Sequence, residues 1–249
     1  MTDNQSQRKP CKAMVLAAGL GKRMRPLTDR RPKPLIEVQG RSLIDRVLDH
    51  LEAAGIAEAV VNLHHCGSLL RQHLEARESP RLQFSEEETL LETGGGIVKA
   101  LPLLGDAPFY AINGDVLWLD GTRPALERLA AQWNPEKMDA LLLMQPTVSA
   151  QGYDGPGDFR MEAEGRLSLR PERELAPFVF SGLQILSPRL FAGCEVEPFA
   201  LMRLYRTAAH TGRLYGVRHE GTWFHVGTPE DLAKTEESLV EMGFHPAKE

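Results

Sequence analysis

A chain of 249 residues, 42% hydrophobic and 25% charged, holds enough apolar material for one substantial core and has none of the bias of a disordered, collagenous or membrane-spanning sequence. Its formal net charge of -5 argues against a nucleic-acid groove dominated by basic residues, while leaving room for a local basic cluster. Three cysteines, Cys11, Cys66 and Cys194, are too few and too scattered for a disulfide framework or a Cys-based zinc site.

The opening residues M-T-D-N-Q-S-Q-R-K-P lack the apolar stretch of a signal peptide, and no apolar run approaches the ~18 residues that cross a bilayer. A cytoplasmic protein with no membrane or nucleic-acid partner is expected. Residues 12–18 read as a short buried strand feeding directly into L-A-A-G-L-G-K-R-M-R-P-L-T-D-R-R-P-K-P-L at 16–35. Gly19 and Gly21 let the chain turn sharply and bring bare N–H groups against phosphate oxygens, while Arg23 and Lys33 bring positive charge to a migrating phosphoryl group. Neither common phosphate loop fits. A dinucleotide fingerprint wants a third small residue where Met24 stands, and no glycine pair has the Walker spacing before a lysine.

Ser42 reads as an N-cap, and Leu43, Ile44, Val47, Leu48 and Leu51 mark one face of a helix ending near Gly55. A second strand follows at 59–63, a helix at about 68–77, a short strand at about 81–85, and a helix at about 95–104 after the triple glycine. This alternation predicts a parallel sheet with right-handed crossovers and ligands beyond the carboxyl ends of its strands. Residues 109–112 form a further strand, whose end carries Asn113, Gly114 and Asp115; a helix at 124–133 and an inner strand at 138–144 come next. Beyond Gly152 the texture turns rich in Gly and Pro, with strand-like pieces at 158–162 and 166–169, a central strand at 178–186, and helices near 188–192 and 198–210. Thr228, Pro229, Glu230 and Asp231 then open a last helix in the favoured order of cap, proline and acids.

Several clusters carry little weight by themselves. His64, His65 and Cys66 are adjacent, so their side chains diverge, and Glu86, Glu87 and Glu88 read as a solvated loop. Ser181 lacks a G-x-S-x-G elbow, which argues against a serine hydrolase.

The ordered set Gly19, Gly21, Arg23, Met24, Pro26, Leu27, Thr28, Pro32, Lys33, Pro34 resembles the signature of the sugar nucleotidyltransferases, with Lys22 where that family usually has Thr. The resemblance implies an α/β fold with a Rossmann-like, mostly parallel mixed sheet flanked by helices, of the GT-A type. It also implies one domain over 1–249, with a nucleotide-binding part at about 11–145, a sugar-facing part at about 146–228 and a C-terminal helix at about 229–242. Relatives bearing a left-handed β-helix are much longer, so an added acyltransferase domain is not expected.

The implied reaction passes a nucleotidyl group from a nucleoside triphosphate to a sugar 1-phosphate and releases pyrophosphate. Ala17, Ala18, Gly19, Gly21 and Lys22 would line the triphosphate, Arg23 would hold the departing pyrophosphate and Lys33 the α-phosphoryl oxygens. Glu92, Thr93, Gly94 and Gly95, with Asn113, would face the nucleoside, and Asn113 the sugar as well. Asp115 is the expected ligand of Mg²⁺, a hard ion that prefers oxygen. In W-F-H-V-G-T at 223–228 a histidine, His225, stands where many relatives have a second metal-binding aspartate; either one carboxylate and the phosphates suffice, or Mn²⁺ is accepted, or His225 acts through water.

Asp158, Ser181 and Gly182 match segments that face the sugar, and the usual E-K-P lysine is missing, which leaves Arg160, Arg170 and Arg173 as candidate phosphate partners. E-T-G-G-G, N-G-D, G-D-F and F-S-G are together similar to the N-acetylmuramate 1-phosphate uridylyltransferases, so UTP is the favoured nucleotide. A guanylyltransferase for mannose or heptose 1-phosphate using GTP, and a non-catalytic nucleotide-sugar sensor, are the competing readings. Either a monomer or a homodimer is compatible with the sequence.

Overall fold

The computed structural model describes residues 9–244; the opening residues 1–8 read above for a signal peptide lie outside the described residues. In chain order the elements are β1 (Lys12–Leu16), β2 (Glu37–Val38), β3 (Arg41–Ser42), α1 (Leu43–Ala53), β4 (Glu58–Leu63), α2 (Gly67–Leu74) and β5 (Arg81–Glu86). Next come α3 (Glu92–Leu104), β6 (Phe109–Asn113), β7 (Leu117–Leu119), α4 (Ala125–Gln132), β8 (Ala140–Pro146) and β9 (Ala150–Gln151). The chain continues through β10 (Phe159–Met161), β11 (Leu167–Leu169), β12 (Phe178–Leu186), α5 (Met202–His210), β13 (Leu214–Arg218), β14 (Thr222–Phe224) and α6 (Pro229–Glu241).

Nine strands form one mixed sheet in the order β11-β10-β12-β6-β1-β4-β5, with β8 pairing β12 and β13. The half built from β6, β1, β4 and β5 is parallel, as the strand–helix alternation predicts: Val15 lies opposite Val61 on one side and Ile112 on the other. Both faces of β1, β4 and β6 are covered, which is why they read as short apolar runs, whereas β5 at the edge is only partly buried. β12 reverses direction and runs antiparallel to both β6 and β8, with a bulge between Phe180 and Gln184. It thereby joins the parallel half to the rest of the sheet. No helix of the described residues is long and apolar enough to cross a membrane.

Two buried clusters fill the two faces of the sheet. α1, α2 and α4 cover one through residues such as Leu48, Leu70 and Leu129, and α3 and α5 cover the other through Ile97, Leu104 and Tyr205. Ser42 caps α1 by accepting from the Asp45 N–H at 3.1 Å, and Thr228 with Asp231 forms a reciprocal capping box on α6. A third cluster unites Met24, Ile36, Val38, Leu43, Leu117, Phe224, Val226 and Leu239, so the C-terminal helix packs beneath the glycine loop.

Three expected elements differ. The helix expected at 95–104 starts at Glu92 and contains the triple glycine, the helix expected at 198–210 starts at Met202, and 188–192 is a short 3-10 turn, Pro188–Phe191.

Candidate active site

At the carboxyl end of β1 the backbone leaves the sheet and turns at Gly21, whose φ of 58° lies in the left-handed region. A Cβ there would stand 3.0 Å from the Thr28 methyl, and Thr28 Oγ1 donates to the Gly21 carbonyl at 2.9 Å, folding the loop onto residues 28–33. Met24 is wholly buried and anchors the 3-10 turn that leaves Lys22 and Arg23 exposed. Pro32 and Pro34, both buried, flank Lys33 and fix the backbone on either side of it, so the lysine is delivered from a stiff mount.

β6 delivers the opposing charge. The Gly114 N–H donates to the Leu16 carbonyl at 2.8 Å, and a Cβ on Gly114 would crowd that same oxygen at 3.2 Å. This close approach of the two strand ends sets Asp115 beside the loop, where its Oδ2 lies 2.7 Å from Lys33 Nζ.

The ion pair stands between two cavities. The larger, about 360 Å³, is lined by Ala17, Ala18, Gly19 and Gly21 on one wall and by Asn62, Leu90, Glu92 and Thr93 on the other. The smaller, about 210 Å³, is lined by Arg23, Tyr153, Phe180, Ser181, Trp223 and His225. Lys33, Asn113 and Asp115 line both. A wider groove of about 790 Å³ near Glu136, Arg166 and Arg213 contains none of the motif residues, so volume alone does not locate the chemistry. The shared wall suits a reaction between two anions, one in each cavity, with a cation and a carboxylate at the point where they meet.

Several expected residues take other roles. Gly94 and Gly95 are buried in the first turn of α3, where a Cβ would overlap the Phe199 ring or the Glu197 carbonyl, and the Gly94 N–H donates to Phe199 O at 2.8 Å. They seat the 197–199 segment, and the cleft wall expected from them is presented by Glu92 and Thr93 instead. Gly94→Ala is therefore expected to cost about 1–3 kcal/mol of stability through overpacking. A urea midpoint that does not move would show that the Phe199 ring can swing aside.

Ser181 Oγ donates to the Leu143 carbonyl at 2.8 Å, and its own carbonyl accepts from Trp223 Nε1 at 2.9 Å, so this hydroxyl is committed to the sheet. Gly182, with φ of 91°, leaves space for Asn113, whose Nδ2 would lie 2.9 Å from a Cβ there. Asp158 accepts from the Phe180 N–H at 2.9 Å and staples the Gly-rich 152–158 loop to β12; it does not line the smaller cavity. Arg160 pairs with Glu174, Arg170 donates to the Gly157 and Glu174 carbonyls, and neither they nor Arg173 line the cavities beside the ion pair. Arg23, expected on the pyrophosphate, is the arginine that lines the smaller cavity.

His225 packs edge-on against Tyr153 at a centroid distance of 5.8 Å. Burial, followed by the positive charge of Arg23, holds its pKa below the usual histidine value, which favours the uncharged ring. Among the described residues no group of three or more His, Cys, Asp or Glu side chains is placed to hold a metal ion. The donor set at the ion pair is one carboxylate facing a phosphate-sized cleft, which suits Mg²⁺, an ion that keeps water and substrate oxygens as ligands.

Glu87, expected in a solvated loop, is 5% exposed. Its carboxylate accepts from Asn62 Nδ2 at 2.6 Å and from the Leu91 N–H at 2.9 Å, while Asn62 Oδ1 accepts from the Ala17 N–H at 2.6 Å. Sequence reading misses this chain of contacts; the local signal is a polar Asn that follows the apolar run 59–61 within strand β4. His64 and His65 meet different partners, the Glu87 carbonyl and the Thr28 carbonyl, each at 2.9 Å.

Comparison with known proteins identifies the family. The model of the nucleotidyl transferase family matches residues 12–241. The chain belongs to the nucleotidyl transferase family. N-acetylmuramate alpha-1-phosphate uridylyltransferase of Caulobacter vibrioides is 44% identical over 234 residues, which is 92% of this chain and 97% of that protein. The enzyme of the same description from Neisseria meningitidis is 38% identical, over 87% of this chain and 93% of its own length. Among solved structures, a UDP-glucose pyrophosphorylase complexed with UDP-glucose superposes with a TM-score of 0.76 at 18% identity, over 94% of this chain and 99% of that one. This nucleotidyltransferase thus has the expected α/β fold, with a mixed central sheet flanked by helices.

Proposed function

We propose that this nucleotidyltransferase joins a nucleoside triphosphate to a sugar 1-phosphate, with UTP and N-acetylmuramic acid 1-phosphate as the preferred pair, in the cytoplasm. The observation that carries the reading is the Lys33–Asp115 pair, 2.7 Å apart and common to both cavities. The choice of UTP and of an N-acetylmuramate substrate is supported by the two uridylyltransferases that resemble this chain over most of its length.

In this reading the triphosphate lies along Ala17–Gly21 with its nucleoside toward Glu92 and Thr93, and the sugar occupies the cavity beside Tyr153, Trp223 and His225. An oxygen of the sugar phosphate attacks the α-phosphorus, the bond from that phosphorus to the β-phosphate oxygen breaks, and pyrophosphate leaves. The attacking oxygen is already ionised, so the reaction needs no general base. Lys33 neutralises the α-phosphoryl oxygens as charge spreads over them, Arg23 steers an anion into the smaller cavity, and His225 stays uncharged against Tyr153. Asp115 would hold Mg²⁺, which supplies Lewis-acid charge neutralisation when bound.

A panel of UTP, GTP, dTTP and ATP against N-acetylmuramic acid, glucose, mannose and heptose 1-phosphates, read as pyrophosphate release with Mg²⁺ and with Mn²⁺, tests the proposal. Turnover is expected to be highest by at least tenfold with UTP and N-acetylmuramic acid 1-phosphate. A preference for GTP with mannose or heptose 1-phosphate would replace this reading with guanylyl transfer, and tight nucleotide-sugar binding without turnover would make the protein a sensor.

A further inference from the structure

Glu87 is a buried carboxylate that the proposed reaction leaves unused. We infer that Glu87 is a positioning residue which, through Asn62, locks the two walls of the nucleotide cleft at a fixed separation and so sets affinity for the nucleoside triphosphate. The inference rests on the larger cavity being the nucleotide site.

The contacts run in one line from wall to wall. The Ala17 N–H on the glycine-loop wall donates to Asn62 Oδ1 at 2.6 Å, Asn62 Nδ2 donates to Glu87 Oε1 at 2.6 Å, and the Leu91 N–H on the opposite wall donates to Glu87 Oε2 at 2.9 Å. Leu91 immediately precedes Glu92 and Thr93, which line the cleft, and Asn62 lines it directly. Glu87 is itself held at the end of β5, where its N–H donates to the Leu63 carbonyl at 2.8 Å and its carbonyl meets His64 Nδ1 at 2.9 Å. Asn62 and Glu87 are 2% and 5% exposed, so losing a partner leaves a poorly solvated polar group. α3 makes room for them: a Cβ on Gly96 would lie 2.7 Å from Glu87 Oε1 and 2.9 Å from Asn62 Nδ2.

Donor and acceptor counting explains why the position needs a carboxylate. Both oxygens of Glu87 accept from N–H donors, and the resulting polarity fixes which end of the Asn62 amide faces Ala17. Glutamine has the same shape and only one acceptor. In Glu87→Gln, whichever way the two amides turn, one N–H in the line must face another N–H, at Ala17, at Leu91 or between the two side-chain amides, where the repulsion draws them off the two backbone N–H groups. Adding Asn62→Asp restores the match. The carboxylate introduced at position 62 would accept from the Ala17 N–H and from the amide introduced at position 87. The carbonyl oxygen of that amide would accept from the Leu91 N–H, and the total charge of the pair would be that of the wild type.

The test compares wild type, Glu87→Gln and the double variant Asn62→Asp/Glu87→Gln in the full chain. In ligand-free protein, amide hydrogen exchange is expected to quicken about tenfold at Ala17 or Leu91 in the single variant and to return to the wild-type rate in the double variant. The single variant is expected to raise KM for UTP about tenfold, the equivalent of about 1.4 kcal/mol, with kcat and the KM for the sugar phosphate within about twofold. The double variant is expected to recover UTP affinity to within about threefold. Unchanged exchange at both amides together with unchanged KM for UTP overturns the inference, and so does a double variant no better than the single one. Exchange is read without nucleotide, so a wild-type chain that turns over no triphosphate defeats the functional reading while the exchange result still judges the strut.

Discussion

Asp115→Asn is expected to lower kcat for nucleotidyl transfer by roughly a thousandfold while nucleotide binding measured without metal stays the same or tightens. The substitution keeps the shape of the side chain and removes its charge. It deprives the cleft of the one carboxylate that both cavities share, and it releases Lys33 from its partner 2.7 Å away. A freed ammonium facing the glycine loop attracts a polyphosphate more strongly, which is why affinity and turnover should move in opposite directions. Steady-state pyrophosphate release and equilibrium titration with UTP measure the two quantities separately. Turnover within tenfold of wild type would remove Asp115 from the chemistry.

Lys33→Met is expected to lower kcat by about 10²–10³-fold, the typical cost of losing one preorganised charge at a reacting phosphoryl group. Methionine keeps the length and the apolar stem, including the Cβ that lies close to Gly21. Here too a second quantity separates function from folding. Lys33 occupies Asp115 in the ligand-free protein, so its removal is expected to strengthen Mn²⁺ binding, read by electron paramagnetic resonance titration, whereas Asp115→Asn should weaken it. Stability should change little in either variant, because the side chains are 13% and 34% exposed and an ion pair in contact with water contributes on the order of 1 kcal/mol or less. The double variant should lose far less than the product of the two single losses, because both residues serve one charge-neutralising unit. Full multiplicativity would mean that they act independently.

What the sequence discloses about this site depends on whether the reason for a residue lies nearby in the chain. Gly21, Pro32 and Pro34 are legible because their task is local: a left-handed turn and two rigid neighbours for Lys33. Asp115 stands out because Gly114 ends a strand immediately before it. Gly94 and Gly95 look the same on paper, yet their reason is a ring and a carbonyl at 197–199, about a hundred residues away, and no reading of 90–97 alone contains that fact. Glu87 reads as solvated because it sits in a run of acids; only the crossing of β4, β5 and the start of α3 buries it. The parallel half of the sheet follows from alternation of strand and helix, but the reversal at β12 is set by tertiary pairing with β6 and β8, and the bulge in that strand decides that Ser181 serves the sheet.

The packing of α6 beneath the glycine loop has a consequence for the order in which this protein becomes competent. Met24 shares its buried surroundings with Leu239, and Gln39 reaches Glu236 through both its backbone N–H, at 3.0 Å, and its side-chain amide, at 3.2 Å. During synthesis the turn at Gly21 emerges from the ribosome early, yet its apolar underside stays bare until α6 has followed. A nascent chain therefore carries this turn long before it can hold it still, and the turn gains its full packing only with α6.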